Sequence, residues 1–252
     1  MQTRNILVGS PVRLYVLDFG LFRVFSGPRD IGICGYLIQT SSNEHVLIDS
    51  GFPEKYADDS IAAAKEDMLC DFGEVLSLTD QNLPRSQLGR TGITPGEIDL
   101  FLITHTHIDH IGGLFDFPKA PLVIAEAERA LPRPLYWSGA QPWDWPERDT
   151  LRLADDTMLG PGFEVFQVPG HAPGQLAIML ELPKTGPVLL CSDAISRPAE
   201  IEEGFASSPD PDAALQSARR LLALARQRDA FIVYGHSPEQ WPTLRKAPNF
   251  YD

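Results

Sequence analysis

The sequence has little of what disulfide-bonded proteins require. Its 252 residues include only three cysteines, Cys34, Cys70 and Cys191, and no CxxC pair. An odd and widely spaced set argues against a disulfide framework and against a thiolate zinc site. Each cysteine stands beside an apolar residue, so we expect all three to be small core residues.

Long apolar runs and positive charge are also scarce. No run approaches the roughly eighteen residues that span a bilayer, and residues 1–15 lack the apolar stretch of a signal peptide. Lysine and arginine total 21 against 34 acidic residues, for a net charge of −13. Because this charge repels phosphate backbones and anionic lipids, we expect neither nucleic acid nor a membrane as partner. The lack of a membrane span and of a signal peptide leads us to expect a cytoplasmic protein.

Short apolar segments of strand length dominate the rest of the chain. Helical spacing is clearest at 211–229, looser at 55–70, and a third helix is expected to begin near Thr79. Strands with helices at intervals predict sheets covered by helices, an α/β or α+β layered fold. The predicted strands are 12–18, 34–40, 46–49, 100–104, 122–125, 163–168, 176–182, 188–191 and 231–234.

Residues 131–148 have no clear periodicity and contain three of the four tryptophans. One interpretation is an irregular surface loop packed by its own aromatic side chains. The other is a loop that covers a substrate, because long irregular loops are often functional. The sequence leaves both open.

A dense histidine cluster follows the predicted strand 100–104. His105, His107 and His110 stand with Asp109 in a window of six residues, although the whole chain has only 6 histidines. Side chains two apart on an extended chain point the same way, so His105 and His107 can reach one metal ion. Imidazole and carboxylate ligands suit zinc, iron, manganese or cobalt.

Three further polar residues follow predicted strands in the same manner. They are His171 after 163–168, Asp193 after 188–191 and His236 after 231–234. Strand ends of a layered sheet can converge on one rim, and the repetition favours ligands over isolated structural residues. His45 does not fit this arrangement, and we expect it to be an ordinary surface histidine.

In this order, these residues resemble the ligand set of the metallo-β-lactamase superfamily, and the 46–51 segment with Asp49 resembles its early strand. The resemblance runs over nearly the whole chain and implies a single domain, 1–252, with an αββα sandwich fold. It also implies two divalent metal ions, for which zinc is the first choice and iron, manganese or cobalt are alternatives. It implies that Asp193 bridges the two metals and that Asp49 lies behind a ligand and orients it. One metal would be held by His105, His107 and His171, and the other by Asp109, His110 and His236.

Such a pair of cations offers a hydrolytic mechanism that needs no serine or cysteine nucleophile. Two metals about 3.5–4 Å apart lower the pKa of a shared water and supply hydroxide at neutral pH. They also stabilise the oxyanion that develops on a substrate carbonyl. Asp109 is in addition a candidate to carry a proton to the leaving group.

Within the superfamily, residues 168–175, 192–194 and 235–240 resemble the N-acyl-homoserine lactonases. That resemblance predicts lactone opening by metal-hydroxide attack on a small-molecule substrate, and a homodimer. One position departs from it, since Ser196 stands where those enzymes carry a tyrosine that contacts the substrate. Tyr136 or Tyr234 are candidates to replace that phenol. Candidate substrate contacts are Phe22, Phe25, Trp137, Ser196 and Phe205, with Trp143 and Trp145 also available to line an apolar pocket.

Two other functions stay open at this stage. Because position 196 lacks the phenol, the same centre could cleave phosphotriesters, carbamates or amides. A non-hydrolytic module that handles metal or dioxygen, or senses a metabolite, is the third hypothesis.

Overall fold

The computed structural model describes residues 1–3, 6–137 and 139–252. The α-helices are α1 Lys55–Asp58, α2 Ser60–Glu66, α3 Pro84–Thr91, α4 Glu126–Arg129, α5 Glu200–Glu203 and α6 Pro211–Arg228, and short 3-10 helices cover Asp80–Asn82, Pro95–Glu97, Ser192–Ile195 and Trp241–Thr243. The strands are β1 Gln2–Thr3, β2 Pro11–Val24, β3 Arg29–Thr40, β4 His45–Ile48, β5 Gly73–Ser77, β6 Leu100–Leu102, β7 Leu122–Ala125, β8 Thr150–Leu153, β9 Thr157–Gly160, β10 Phe163–Gln167, β11 Leu176–Leu182, β12 Gly186–Leu190 and β13 Phe231–Val233.

The strands form two sheets. The first has seven strands in the order β5-β2-β3-β4-β6-β7-β8, and the second has six in the order β1-β9-β10-β11-β12-β13. In the first sheet β4, β6, β7 and β8 are mutually parallel, and in the second β12 and β13 are parallel. Parallel neighbours end at the same edge, so each sheet presents several strand ends together.

A buried apolar core lies between the two sheets. Period-two alternation decides which residues reach it. In β4, Val46 and Ile48 join a buried cluster with Val165 and Ile178 of the second sheet, whereas Leu47 faces the opposite side. Helices cover the outer face of each sheet, so the layers run helix, sheet, sheet, helix. The predicted αββα sandwich is confirmed.

Helix α6 covers the second sheet because its sequence carries both start and stop signals. The Asp210 side chain accepts a hydrogen bond from the Ala213 amide, and Pro211 occupies the first turn. Ala214, Ala218, Leu221 and Ala225 recur on one side and are buried against the sheet. The predicted helix 211–229 therefore forms almost to its end, with Asp229 in the left-handed conformation as its C-cap.

Other sequence expectations need correction. The strand predicted at 12–18 continues to Val24, because residues 21–24 pair with both β3 and β5. The helix predicted at 55–70 divides into α1 and α2, since Asp59 is extended and caps the second.

Two side chains are also placed differently from the sequence expectation. Cys70 is exposed, although Cys34 and Cys191 are buried as expected. His45, expected at the surface, is only 4% exposed, and its Nδ1 lies 3.1 Å from the Glu97 carbonyl oxygen. Among the described residues, no helix has the length and apolar character needed to cross a membrane.

Candidate metal centre

The polar residues that follow the strand ends meet at one rim of the sandwich. His105 follows β6, His171 follows β10, Asp193 lies in the 3-10 turn after β12, and His236 follows β13. Their ligand atoms form three overlapping groups in which all atoms of a group lie within 4.8 Å of one another. The groups are His105, His107 and His171; His105, His110 and Asp193; and Asp109, His110 and His236.

The first group consists of histidines alone. His107 Nδ1 lies 3.1 Å from His105 Nε2 and 2.9 Å from His171 Nε2. Nitrogen ligands bound tetrahedrally at about 2.0–2.1 Å stand roughly 3.3 Å apart, so these separations suit one metal ion. His105 is fully buried, while His107 and His171 reach the surface in part.

The Asp193 carboxylate lies between the three-histidine group and the group formed by Asp109, His110 and His236. Its Oδ2 is 3.4 Å from His171 Nε2, and its Oδ1 is 3.1 Å from His236 Nε2 and 3.4 Å from His110 Nε2. Asp109 Oδ2 completes the far side, 3.4 Å from His236 Nε2 and 3.6 Å from His110 Nε2. One carboxylate thus presents one oxygen to each group, which is the arrangement a bridging ligand requires.

Burial keeps the three-histidine group neutral. It lowers the pKa of His105 well below the usual value, that of His107 to about 3 and that of His171 as well, with repulsion between neighbouring histidines adding to the effect. Neutral imidazoles keep a free lone pair, which is the form that coordinates metals.

In the group of Asp109, His110 and His236, carboxylates raise the histidine pKa values instead. Burial opposes charge on His110 and His236, but Asp109 and Asp193 outweigh it, raising the pKa of His110 well above the usual value and that of His236 to about 9. Burial raises the pKa of Asp193, yet the surrounding histidines hold it well below its usual range. The site is therefore built to attract positive charge.

Unsatisfied atoms complete the test of fit for metal ions. Among the described residues, His110 Nε2, Asp193 Oδ1 and His236 Nε2 are buried without a partner in hydrogen-bonding geometry. Buried polar atoms are normally paired, so three orphans that face each other call for a bound group. Nitrogen and carboxylate donors at these spacings fit two divalent metal ions.

Residues behind the ligands fix their orientation. Asp49 Oδ2 accepts hydrogen bonds from His110 Nδ1 at 2.8 Å and from the Thr104 hydroxyl at 2.7 Å. Asp49 Oδ1 accepts from the Thr104 amide at 2.8 Å. His236 Nδ1 donates to the Gly32 carbonyl at 3.0 Å. Sequence reasoning singled out Asp49 but missed Thr104, whose position directly before His105 was an available signal, and Gly32, which acts through its backbone and carries no side-chain signal.

Tyr136 of the tryptophan-rich segment pairs with the His107 segment. The Tyr136 amide donates to the Thr106 carbonyl, and the Tyr136 carbonyl accepts from the Ile108 amide. The Tyr136 hydroxyl donates to the buried Asp67, so it is not free to replace a phenol at position 196. The segment is also packed by its own aromatics, as in the contact of Tyr136 with Trp143. Ser138 lies outside the described residues.

The other candidate substrate contacts divide between core and surface. Phe22 is 2% exposed and packs against Phe52 and Phe72, and Phe205 is 3% exposed beneath α6. Phe25 is 42% exposed, and Trp137 is half-buried.

Position 196 touches the metal centre through its backbone. Ser196 is half-buried, and its carbonyl accepts from the His236 amide at 2.8 Å. Tyr234 packs partly buried against the core under α6.

An αββα sandwich with residues for two metal ions at one rim defines a class of metal-dependent hydrolases. The chain belongs to the metallo-β-lactamase superfamily, whose sequence model matches residues 35–236. The predicted resemblance to the superfamily is confirmed, and with it the prediction of an enzyme with two divalent metal ions.

Its relatives include N-acyl homoserine lactonases. The lactonase AttM of Azorhizobium caulinodans is 30% identical over 268 aligned positions, gaps included, which cover 96% of this chain and 99% of that protein. The lactonase AiiA of Bacillus thuringiensis subsp. kurstaki is 29% identical over 226 aligned positions, gaps included, which cover 85% of each chain. An N-acyl homoserine lactone hydrolase solved with N-hexanoyl-L-homoserine at its catalytic metal centre shares the fold, with a TM-score of 0.84, 24% identity and coverage of 96% of this chain and 100% of that one.

Proposed function

We propose that this protein is a dinuclear lactonase that hydrolyses N-acyl-homoserine lactones or closely similar lactones. The observation that carries the proposal is the convergence of seven ligand-type side chains on one rim, in a chain that matches a lactonase over 99% of that relative's length. His105, His107 and His171 would hold one metal, Asp109, His110 and His236 the other, and Asp193 both. We assign zinc to both positions, because it readily accepts nitrogen and carboxylate ligands together.

The metals, when bound, supply Lewis acidity and an activated water. Hydrolysis then places the water oxygen on the carbonyl carbon, breaks the ring C–O bond and delivers a proton to the leaving oxygen. We assign the transfer of that proton to Asp109. Its side chain is 18% exposed against 8% for Asp193, so it is the carboxylate of the site that a substrate reaches more readily.

A substrate panel tests the proposal. The metal-loaded enzyme is assayed with acyl-homoserine lactones, simple lactones, aryl esters and a phosphotriester, and we expect the lactones to turn over with the highest kcat/KM. Metal-free enzyme, restored by added zinc, is the control. Turnover of the phosphotriester without any lactone would refute the lactonase assignment and favour the second candidate, a phosphotriesterase, which the absence of a phenol at Ser196 supports.

The role of Asp109 has its own test. An alkoxide leaving group needs a proton, whereas a phenol with a pKa of about 10 leaves more readily without one. We therefore expect Asp109→Asn to lower kcat for a lactone by about 100-fold, and for a good aryl ester by much less. Metal content is measured in the same samples, since equal losses on both substrates together with lost metal would show that Asp109 acts only as a ligand.

A further inference from the structure

Thr106 points away from the metal centre, between two histidines that point into it. This follows from the alternation of side chains along an extended segment. The hydroxyl of Thr106 is fully buried, donates to Glu128 Oε2 at 2.7 Å and accepts from the Leu135 amide at 2.9 Å. The Glu128 side chain on α4 therefore holds the His105–His107 segment from behind, together with the backbone of residues 135 and 136.

Glu128 also touches the loop that carries His171. The carboxylate side chain is fully buried, and it packs so closely on Gly174 that a Cβ added there would lie 2.5 Å from Glu128 Cγ. Burial raises the pKa of Glu128, while the Thr106 hydroxyl and the Gly174 amide, both facing the carboxylate, lower it. Gly174 is three residues beyond His171 in the chain. One buried side chain thus contacts both histidine-bearing segments.

We propose that Glu128 is a positioning residue that sets the distance between His107 and His171, and so the affinity of the three-histidine site for its metal. This rests on the proposed assignment of that site. His107 is the shared member, within 3.1 Å of His105 and 2.9 Å of His171. Metal–ligand distances must hold to within about 0.2 Å, so a small shift between the two segments disfavours binding.

The alternative is that Glu128 merely satisfies hydrogen bonds in the core. That role predicts lower stability of the whole chain and an equal effect on both metal positions. A positioning role predicts a selective effect on one of them, because Glu128 contacts the segments of His107 and His171, which are ligands of the three-histidine site.

The experiment is metal titration of purified Glu128→Gln, with Co²⁺ absorption spectra and competition against a chelator, alongside thermal unfolding of the metal-free protein. We expect the affinity of one of the two positions to fall by about 10–100-fold, with an altered Co²⁺ spectrum, while the other position is unchanged. Asp49→Asn, behind His110, should weaken the other position and so identifies which one is affected.

Glu44→Gln is the matched control. Glu44 accepts from the Thr40 hydroxyl at 2.7 Å and from the amides of Val8 and Gly9, which is the same chemistry in a part of the chain without metal ligands. It should leave both metal affinities unchanged. If Glu128→Gln also leaves both unchanged, or weakens both in step with thermal stability, the inference is overturned.

Variants of Thr106 keep the test decisive if Glu128→Gln fails to fold. Thr106→Val should reproduce the selective loss, and Thr106→Ser, which keeps the hydroxyl, should restore most of the affinity. Two metals bound by the wild type without lactone turnover would contradict the proposed substrate while leaving this test intact. A wild type that binds no metal would overturn both.

Discussion

Replacing Asp49 by asparagine should weaken metal binding at the position that includes His110. The two side chains are nearly equal in size, and asparagine tolerates the left-handed backbone found at Asp49, where φ is 57°. The change is therefore chemical rather than steric. Both carboxylate oxygens accept hydrogen bonds, Oδ1 from the Thr104 amide and Oδ2 from the Thr104 hydroxyl and His110 Nδ1.

An amide cannot satisfy this set in either orientation. With its NH2 in place of Oδ2 it faces the N–H of His110, and with its NH2 in place of Oδ1 it faces the Thr104 amide. The first orientation forces His110 to move its proton to Nε2, the atom that would bind metal. Losing one hydrogen bond to a charged group costs about 1.5–3 kcal/mol. At about 1.4 kcal/mol per factor of ten, this corresponds to roughly 10–100-fold in affinity.

The assay is zinc competition with a chromophoric chelator, performed with Asp99→Asn as the control. Asp99 accepts only the His45 amide among the hydrogen bonds seen here, at 2.8 Å, and lies away from the ligands. Urea unfolding of the metal-free proteins separates stability from affinity. If Asp49→Asn binds two zinc ions as tightly as the wild type, the structural account of His110 is refuted.

Three further predictions concern Gly32, His236 and Arg148. Gly32→Ala should lower metal occupancy, because the Gly32 carbonyl orients His236 and an added Cβ would lie 2.0–2.5 Å from the Trp241 ring, which forces the backbone to move. Metal occupancy equal to that of the wild type would contradict this. In metal-free protein the raised pKa of His236 stabilises the folded state below pH about 6.5, at about 1.4 kcal/mol per unit of pKa shift. This stabilisation is lost as the pH rises through about 9. The unfolding midpoint of the wild type should therefore fall over this pH range, and that of His236→Gln should fall less. Arg148→Met should lower the midpoint of thermal unfolding, because the half-buried guanidinium donates to the carbonyls of Leu114 and Ala120. An unchanged midpoint would show that these contacts contribute nothing.

Side-chain periodicity made the layers of the fold predictable. Apolar runs of strand length identified β4 and β11, and helical spacing identified α6. The short helices near residues 55–66 were less predictable, because tertiary packing rather than local pattern stabilises elements of one or two turns.

Burial could not be predicted where local sequence is ambiguous. Cys70 and His45 were both placed wrongly, since an apolar neighbour or a polar side chain says little about which way a residue faces. The aromatic residues Phe22 and Phe205 likewise lie in the core, although their chemistry would suit a pocket equally well.

The sequence by itself determined the ligand types, because histidines and aspartates at strand ends and at a spacing of two can serve few other purposes together. Apart from Asp49, only the tertiary structure decided what stands behind them. The Gly32 carbonyl and the Thr104 hydroxyl contact the ligands or their support, and Glu128 contacts Thr106 between two of the ligands. Such contacts depend on the approach of separate elements to within about 3 Å, and no local pattern in the chain encodes that distance.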